Sequence, residues 1–184
     1  MCPAVVIGVH AHAEPEHLTE TVRSLHTQGQ AGASIVLLPD GPDAALAAAL
    51  TADPVLAGLP RWGTTEPLGA PACFNRLASR TDAAVVVFVE SGTVLGPGCL
   101  AMLLEAVAVT GRGLAGPSTN RSWNEQGAFG GAGAPEMART AALARQRFGA
   151  TARTLERPVG TFSSPELLAP PQAKTVPLFR RATL

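Results

Sequence analysis

The residues able to do chemistry gather at the ends of apolar runs. His10 and His12 follow the run 5–9, two apart and hence on one face of a strand. Such a pair can hold a metal ion, with Glu14 or Glu16 nearby, though an exposed loop end beside a ligand cleft is the simpler reading. Asp40 sits in Pro39-Asp40-Gly41-Pro42, where it serves a turn or meets a ligand. Glu90-Ser91-Gly92 closes the run 84–89. Cys73 stands at a helix start that could activate its thiol, though burial is the simpler reading, and Asn75 beside it suits a phosphate contact or a loop brace. Thr119, Asn120, Arg121, Trp123, Asn124 and Glu125 form a polar cluster with one aromatic on a glycine-rich stretch. Tryptophan stacking and arginine–phosphate pairing would fit sugar or diphosphate recognition, and a solvated loop would look the same.

The elements that must position these residues follow from the pattern. Residues 84–89 are apolar without alternation, as in a strand covered on both faces. Residues 5–9 and 35–38 read the same way, and 59–65 predicts a short further strand. Pro15 opens a helix to about residue 28, with Leu18, Val22 and Leu25 on one face. An alanine-rich helix is predicted over 43–51, and another over 70–79 with Cys73, Phe74 and Leu77 inward. Pro97 predicts the start of a helix carrying Leu100, Leu103, Leu104 and Val107. The β-α-β-α order continues through a strand expected at 113–115 and implies a mainly parallel sheet with helices on both sides. Ligands of such sheets bind outside the carboxyl ends of the strands, which makes Glu90 to Gly92 the first candidate edge. Residues 116–134 read as a polar loop and 135–148 as a helix; the tail from 157 holds Pro158, Pro165, Pro170, Pro171 and Pro177 and reads as an extended or disordered arm. The expected organisation is a domain over 1–150 followed by a proline-rich arm over 151–184.

Composition narrows the classes. With 184 residues, 14 basic and 14 acidic side chains and zero formal net charge, the chain has no basic nucleic-acid footprint and no polybasic membrane patch. No apolar run approaches the ~20 residues of a membrane helix. The N-terminus lacks the positive region of a secretory signal, and Cys2, Cys73 and Cys99 are odd in number and widely spaced. Reduced thiols and a cytoplasmic location are expected. No P-loop, G-x-S-x-G elbow or G-x-G-x-x-G follows any strand.

Several short stretches in order resemble the nucleotide-sugar-binding half of family 2 glycosyltransferases, bacterial members included. Pro15, Glu16 and Leu18 match that family's helix start after the first strand; Pro39-Asp40-Gly41-Pro42 stands where Asp-Asp-Gly-Ser ends the second. Pro67-Leu68-Gly69 with Asn75-Arg76 looks like its Asn-Leu-Gly and Asn-x-Gly, and Thr93-Val94 with Pro97-Gly98 follows the fourth strand as expected. Gly116-Pro117 with Thr119-Asn120 resembles a further family loop, and the likeness covers about residues 4–126.

The resemblance implies a three-layer α/β/α fold with a mainly parallel sheet, the GT-A type, and a transferase that binds a nucleotide-diphosphate sugar and passes the sugar to an acceptor. It implies a nucleotide-sugar site drawn from His10, His12, Asp40, Gly69, Asn75, Glu90, Ser91, Thr119 and Asn120, with Mn or Mg held at Glu90. Two features depart from the family. Glu90-Ser91-Gly92 replaces its metal-binding Asp-x-Asp, so Gly92 stands where the main carboxylate belongs. After residue 127 only Glu136, Glu156 and Glu166 are acidic, and none lies in a context resembling the family's general base. The alternative reading is a degenerate, non-catalytic binding or assembly module whose arm docks on a partner or on a second copy of the chain.

Overall fold

The apolar runs fold as parallel strands. In a computed structural model, β1 (Val5–Ala11) lies between β2 (Ala33–Pro39) and β3 (Val85–Glu90). The structure describes residues 5–30, 32–108 and 115–117, single positions at 136, 139, 143 and 146, and the backbone of 179 and 180. The expected strand at 113–115, the loop 116–134, the helix 135–148 and the arm fall wholly or largely outside the described residues. A short β4 (Phe179–Arg180) pairs antiparallel with β3 at Val85 and Val86.

Helices cover both sides of the sheet. α1 (Pro15–His26), α2 (Ala44–Ala52) and α4 (Cys99–Ala108) bury Leu18, Val22, Leu25, Leu46, Leu50, Leu100 and Val107 against Ile7, Val9, Leu37, Val85, Val87 and Val89. α3 (Ala70–Arg80) lies on the opposite side, packing Cys73, Phe74 and Leu77 on Val36, Leu38, Val86 and Phe88. This is the expected three-layer α/β/α arrangement, and coverage on both faces is why the strands carry no alternation. Each of these apolar side chains contributes about 1.5–3 kcal/mol by leaving water.

Two boundaries differ from expectation for local reasons. Residues 60–64 run beside β2 but make only isolated bridges, Leu37 with Arg61 and Asp40 with Thr64. Pro39 lies between those bridges and has no N–H for the ladder, so a continuous strand cannot form. α4 begins at Cys99 rather than at Pro97 because Gly98 takes φ +73°, outside helical geometry.

Gly8 lets α3 settle on β1. A Cβ there would collide with Leu77 and come within 2.9 Å of Leu38. Gly8→Val is expected to destabilise the protein by about 1–3 kcal/mol through overpacking. An unchanged midpoint in urea denaturation would show that α3 moves away at no cost.

Candidate functional site

The two-residue period of the strands places the polar residues at the sheet's carboxyl edge. On the α3 side β1 presents Val6, Gly8 and His10, and β3 presents Val86, Phe88 and Glu90, with His10 paired to Glu90 in register. β2 presents Val36 and Leu38, and Asp40 continues that face one residue beyond the strand, where its N–H donates to the Ala11 carbonyl at 2.8 Å. His10, Asp40 and Glu90 therefore meet at the edge although 30 and 80 residues separate the partners.

His10 bridges the two carboxylates. Its Nδ1 donates to Glu90 Oε2 at 3.0 Å and its Nε2 lies 3.3 Å from Asp40 Oδ2. The ring meets Phe74 edge-on at 5.9 Å, and Phe74 stacks on Phe88 at 4.6 Å. Burial by itself would lower the His10 pKa; the neighbouring Cys73, Glu90 and Asp40 side chains reverse that and raise it to about 10. In the metal-free protein the ring is an imidazolium held between two acids.

Asp40 is a buried hub. Its Oδ1 accepts from the Thr64 hydroxyl at 2.8 Å and the Leu68 N–H at 2.7 Å, and its Oδ2 accepts from the Gly69 N–H at 2.8 Å. Burial pushes its pKa up, but these donors together with His10 hold it well below the usual carboxylate range. The Leu68 and Gly69 amides lie at the start of α3, so Asp40 caps that helix from across the sheet edge. Gly69 is required there, since it takes φ +87° as the N-cap. Asp40, expected at the nucleotide, is only 2% exposed, and its carboxylate is taken up by protein donors.

Glu90 differs, with 59% of its side chain exposed and one oxygen on His10. The loop after it is held from behind by α1: Gly92 N–H donates to Thr21 Oγ1 at 2.9 Å and Leu95 N–H to Ser24 Oγ at 3.2 Å. Those bonds give partners to two of the three buried hydroxyls of α1; the third, Thr19, donates to Asp53 Oδ2 at 2.7 Å. Ser91 N–H donates to the His10 carbonyl at 2.9 Å. His12 lies past the end of β1 and its Nδ1 donates to the Asp40 carbonyl at 2.7 Å, so it is not a co-ligand of His10. Asn75 is half-buried on α3, whereas Thr119, Asn120, Arg121, Trp123, Asn124 and Glu125 lie outside the described residues.

The Mn or Mg that the family resemblance implies does not fit these residues. Gly92 has no side-chain carboxylate and takes φ +88°, a left-handed backbone that disfavours residues with a Cβ. Glu90 alone, partly committed to His10, is a poor holder for a hard cation that prefers several oxygens. A different donor set is present: His10, Asp40 and Cys73 bring ligand atoms within 4.8 Å of one another. Cys73 was readable as a buried residue of α3; its nearness to His10 and Asp40 carries no local signal in the sequence. Two hollows of about 380 and 250 Å³ lie away from this edge, one beside Arg23 and Asp53, the other beside Leu25 and Gln30. Neither gathers the chemistry found at the carboxyl ends.

No protein-family model matches the chain, and no curated protein matches it. Among solved structures, it is similar to a mannosyltransferase from Pyrobaculum calidifontis in complex with GDP-Man and Mn2+, at 19% identity over 57% of this chain and 31% of that one, TM-score 0.47. It is also similar to glucosyl-3-phosphoglycerate synthase from Mycobacterium tuberculosis in complex with Mn2+, UDP and glucosyl-3-phosphoglycerate, at 16% identity over 61% and 42%, TM-score 0.47. A third is S. aureus TarS 1-349, at 17% identity over 62% and 39%, TM-score 0.45. The chain thus spans 31% to 42% of the length of these structures.

Proposed function

We propose that this chain binds a nucleotide-diphosphate sugar at the carboxyl edge of its sheet, as the nucleotide-sugar-binding half of a glycosyltransferase-like protein of the GT-A type. One observation carries the reading. The strand order β2-β1-β3 reverses direction between β1 and β3, and the polar residues His10 and Glu90 meet at that crevice. In open α/β sheets the crevice at such a switch point is where ligands bind. The ordered family-like stretches from Pro15 to Asn120 support the same reading.

The roles divide by exposure. Glu90, 59% exposed, and Ser91, half-buried, would present side chains to the crevice and accept from or donate to ribose hydroxyls, and His12 would border it. Asp40 and Gly69 would shape the pocket by holding the start of α3, with Asn75 further along that helix. Residues 119–125 would add phosphate and sugar contacts. On this reading residues 1–150 form the binding domain, and the arm 151–184 docks on a partner or a second copy.

A non-catalytic binding module is the second reading, favoured by the left-handed Gly92 and by the His10–Glu90 pair at the place of a metal site. Calorimetric titration with UDP, GDP and TDP, each with and without manganese, tests both. Binding of one nucleotide at an affinity indifferent to manganese is expected. Heat from none of the three would remove the proposal, and manganese-dependent binding would return Glu90 to a metal-holding role. Slow hydrolysis of the matching nucleotide sugar without acceptor would separate the transferase from the module.

A further inference from the structure

We propose that His10 Nε2, Asp40 Oδ2 and Cys73 Sγ form a zinc site beneath the carboxyl edge, closing β1, the end of β2 and α3 upon one another. The site differs in its ligands from the Mn or Mg expected at Glu90, and it does not depend on the nucleotide-sugar reading.

The donor set points to zinc. A thiolate and an imidazole are soft or borderline ligands that select zinc over Mg or Mn. The three side chains are buried, at 8% exposure for His10, 2% for Asp40 and 0% for Cys73, and their ligand atoms lie within 4.8 Å of one another. The 3.3 Å between Nε2 and Oδ2 is long for a charge-assisted hydrogen bond, which is commonly about 2.7–2.9 Å. It matches the edge of a tetrahedron around zinc, about 3.3–3.4 Å when the bonds are about 2.0–2.1 Å.

The surroundings are those a zinc ligand set needs. Glu90 Oε2 holds His10 Nδ1 at 3.0 Å, turning Nε2 toward the other donors. The Thr64 hydroxyl and the Leu68 and Gly69 amides fix both oxygens of Asp40. A carboxylate behind the histidine raises that ligand's basicity, and donors behind the acid set its orientation. Cys73 lies in the first turn of α3, its side chain buried against the sheet beside His10 and Asp40. Zinc uptake would displace the proton on His10 Nε2 and the Cys73 thiol proton, both released to solvent. Three protein ligands leave the fourth position to water.

Cobalt titration of the untagged, chelator-stripped full chain tests the site, using the Cys2→Ala/Cys99→Ala variant so that Cys73 is its sole thiol. Saturation at equimolar cobalt is expected, with the intense visible bands of tetrahedral coordination, a near-ultraviolet thiolate-to-cobalt band, and bleaching of both by zinc. His10→Gln in that background is expected to weaken uptake at least about tenfold. Absence of saturable uptake, or uptake without the thiolate band, would overturn the proposal. So would an affinity unchanged by His10→Gln.

Discussion

Replacing Asp40 with alanine is expected to destabilise the protein by about 3–5 kcal/mol, the scale for removing one partner of a buried charged network. The carboxylate is 2% exposed and is reached by the Thr64 hydroxyl, the Leu68 and Gly69 amides and the His10 ring. Without it, α3 loses its cap and His10 loses one of its two acids, leaving donors in a site that water reaches poorly. Leu68 is 62% exposed, so its amide recovers some hydration, which favours the lower end of the range. Asp40→Asn keeps the volume but points an amide donor at groups that are themselves donors, and is expected to lose less than alanine while remaining well below the parent. Urea denaturation of the three proteins at neutral pH measures this. A loss for Asp40→Ala below about 1 kcal/mol would mean that water replaces every one of those contacts.

In metal-free protein, stability is expected to fall as the pH rises above neutrality. The His10 pKa is raised from 6.5 to about 10 on folding, so its contribution is complete below pH 6.5 and is lost as the pH climbs through 10. Where the folded chain holds that extra proton, the limiting slope is about 1.4 kcal/mol per pH unit. Glu90 is 59% exposed and its share is screened by salt, so the loss across the window is put at about 2–4 kcal/mol. Asp40 acts with the opposite sign. Its pKa is depressed from 3.8, so its contribution is present above that value and is lost as the pH falls below it. Maximum stability is therefore expected on the acid side of neutrality, between these two limbs. Chemical denaturation against pH with chelator present, for the parent and His10→Gln, reads the effect. An alkaline limb equally steep in His10→Gln would show that other groups cause it.

Much of the scaffold was legible from local pattern. The unalternating runs at 5–9, 35–38 and 84–89 mark strands covered on both faces, because burial on two sides removes any demand for polar positions. The inward set Cys73, Phe74 and Leu77 follows from helical spacing alone and recurs in α3 as expected. Asp43 at the start of α2 is a local signal of the same kind, its Oδ1 accepting from the Leu46 N–H at 2.7 Å. Pro39 carried more than its turn signal, since its missing N–H also keeps residues 60–64 from becoming a full strand.

By itself, then, the sequence determined which segments are strands and helices, which side chains face inward, and that polar residues end the strands at one edge. Those are properties of short stretches, set by periods of 2 and 3.6 and by local turn chemistry. Only the tertiary structure decided that His10 lies between Asp40 and Glu90 with Cys73 beside it. That meeting depends on the register of β1 against β2 and β3 and on the height at which α3 rests over Gly8. No residue's neighbours in the chain encode it. A shift of one residue in that register would turn His10 to the opposite face, toward Leu37 and Val87, and dissolve the cluster while every segment kept its secondary structure.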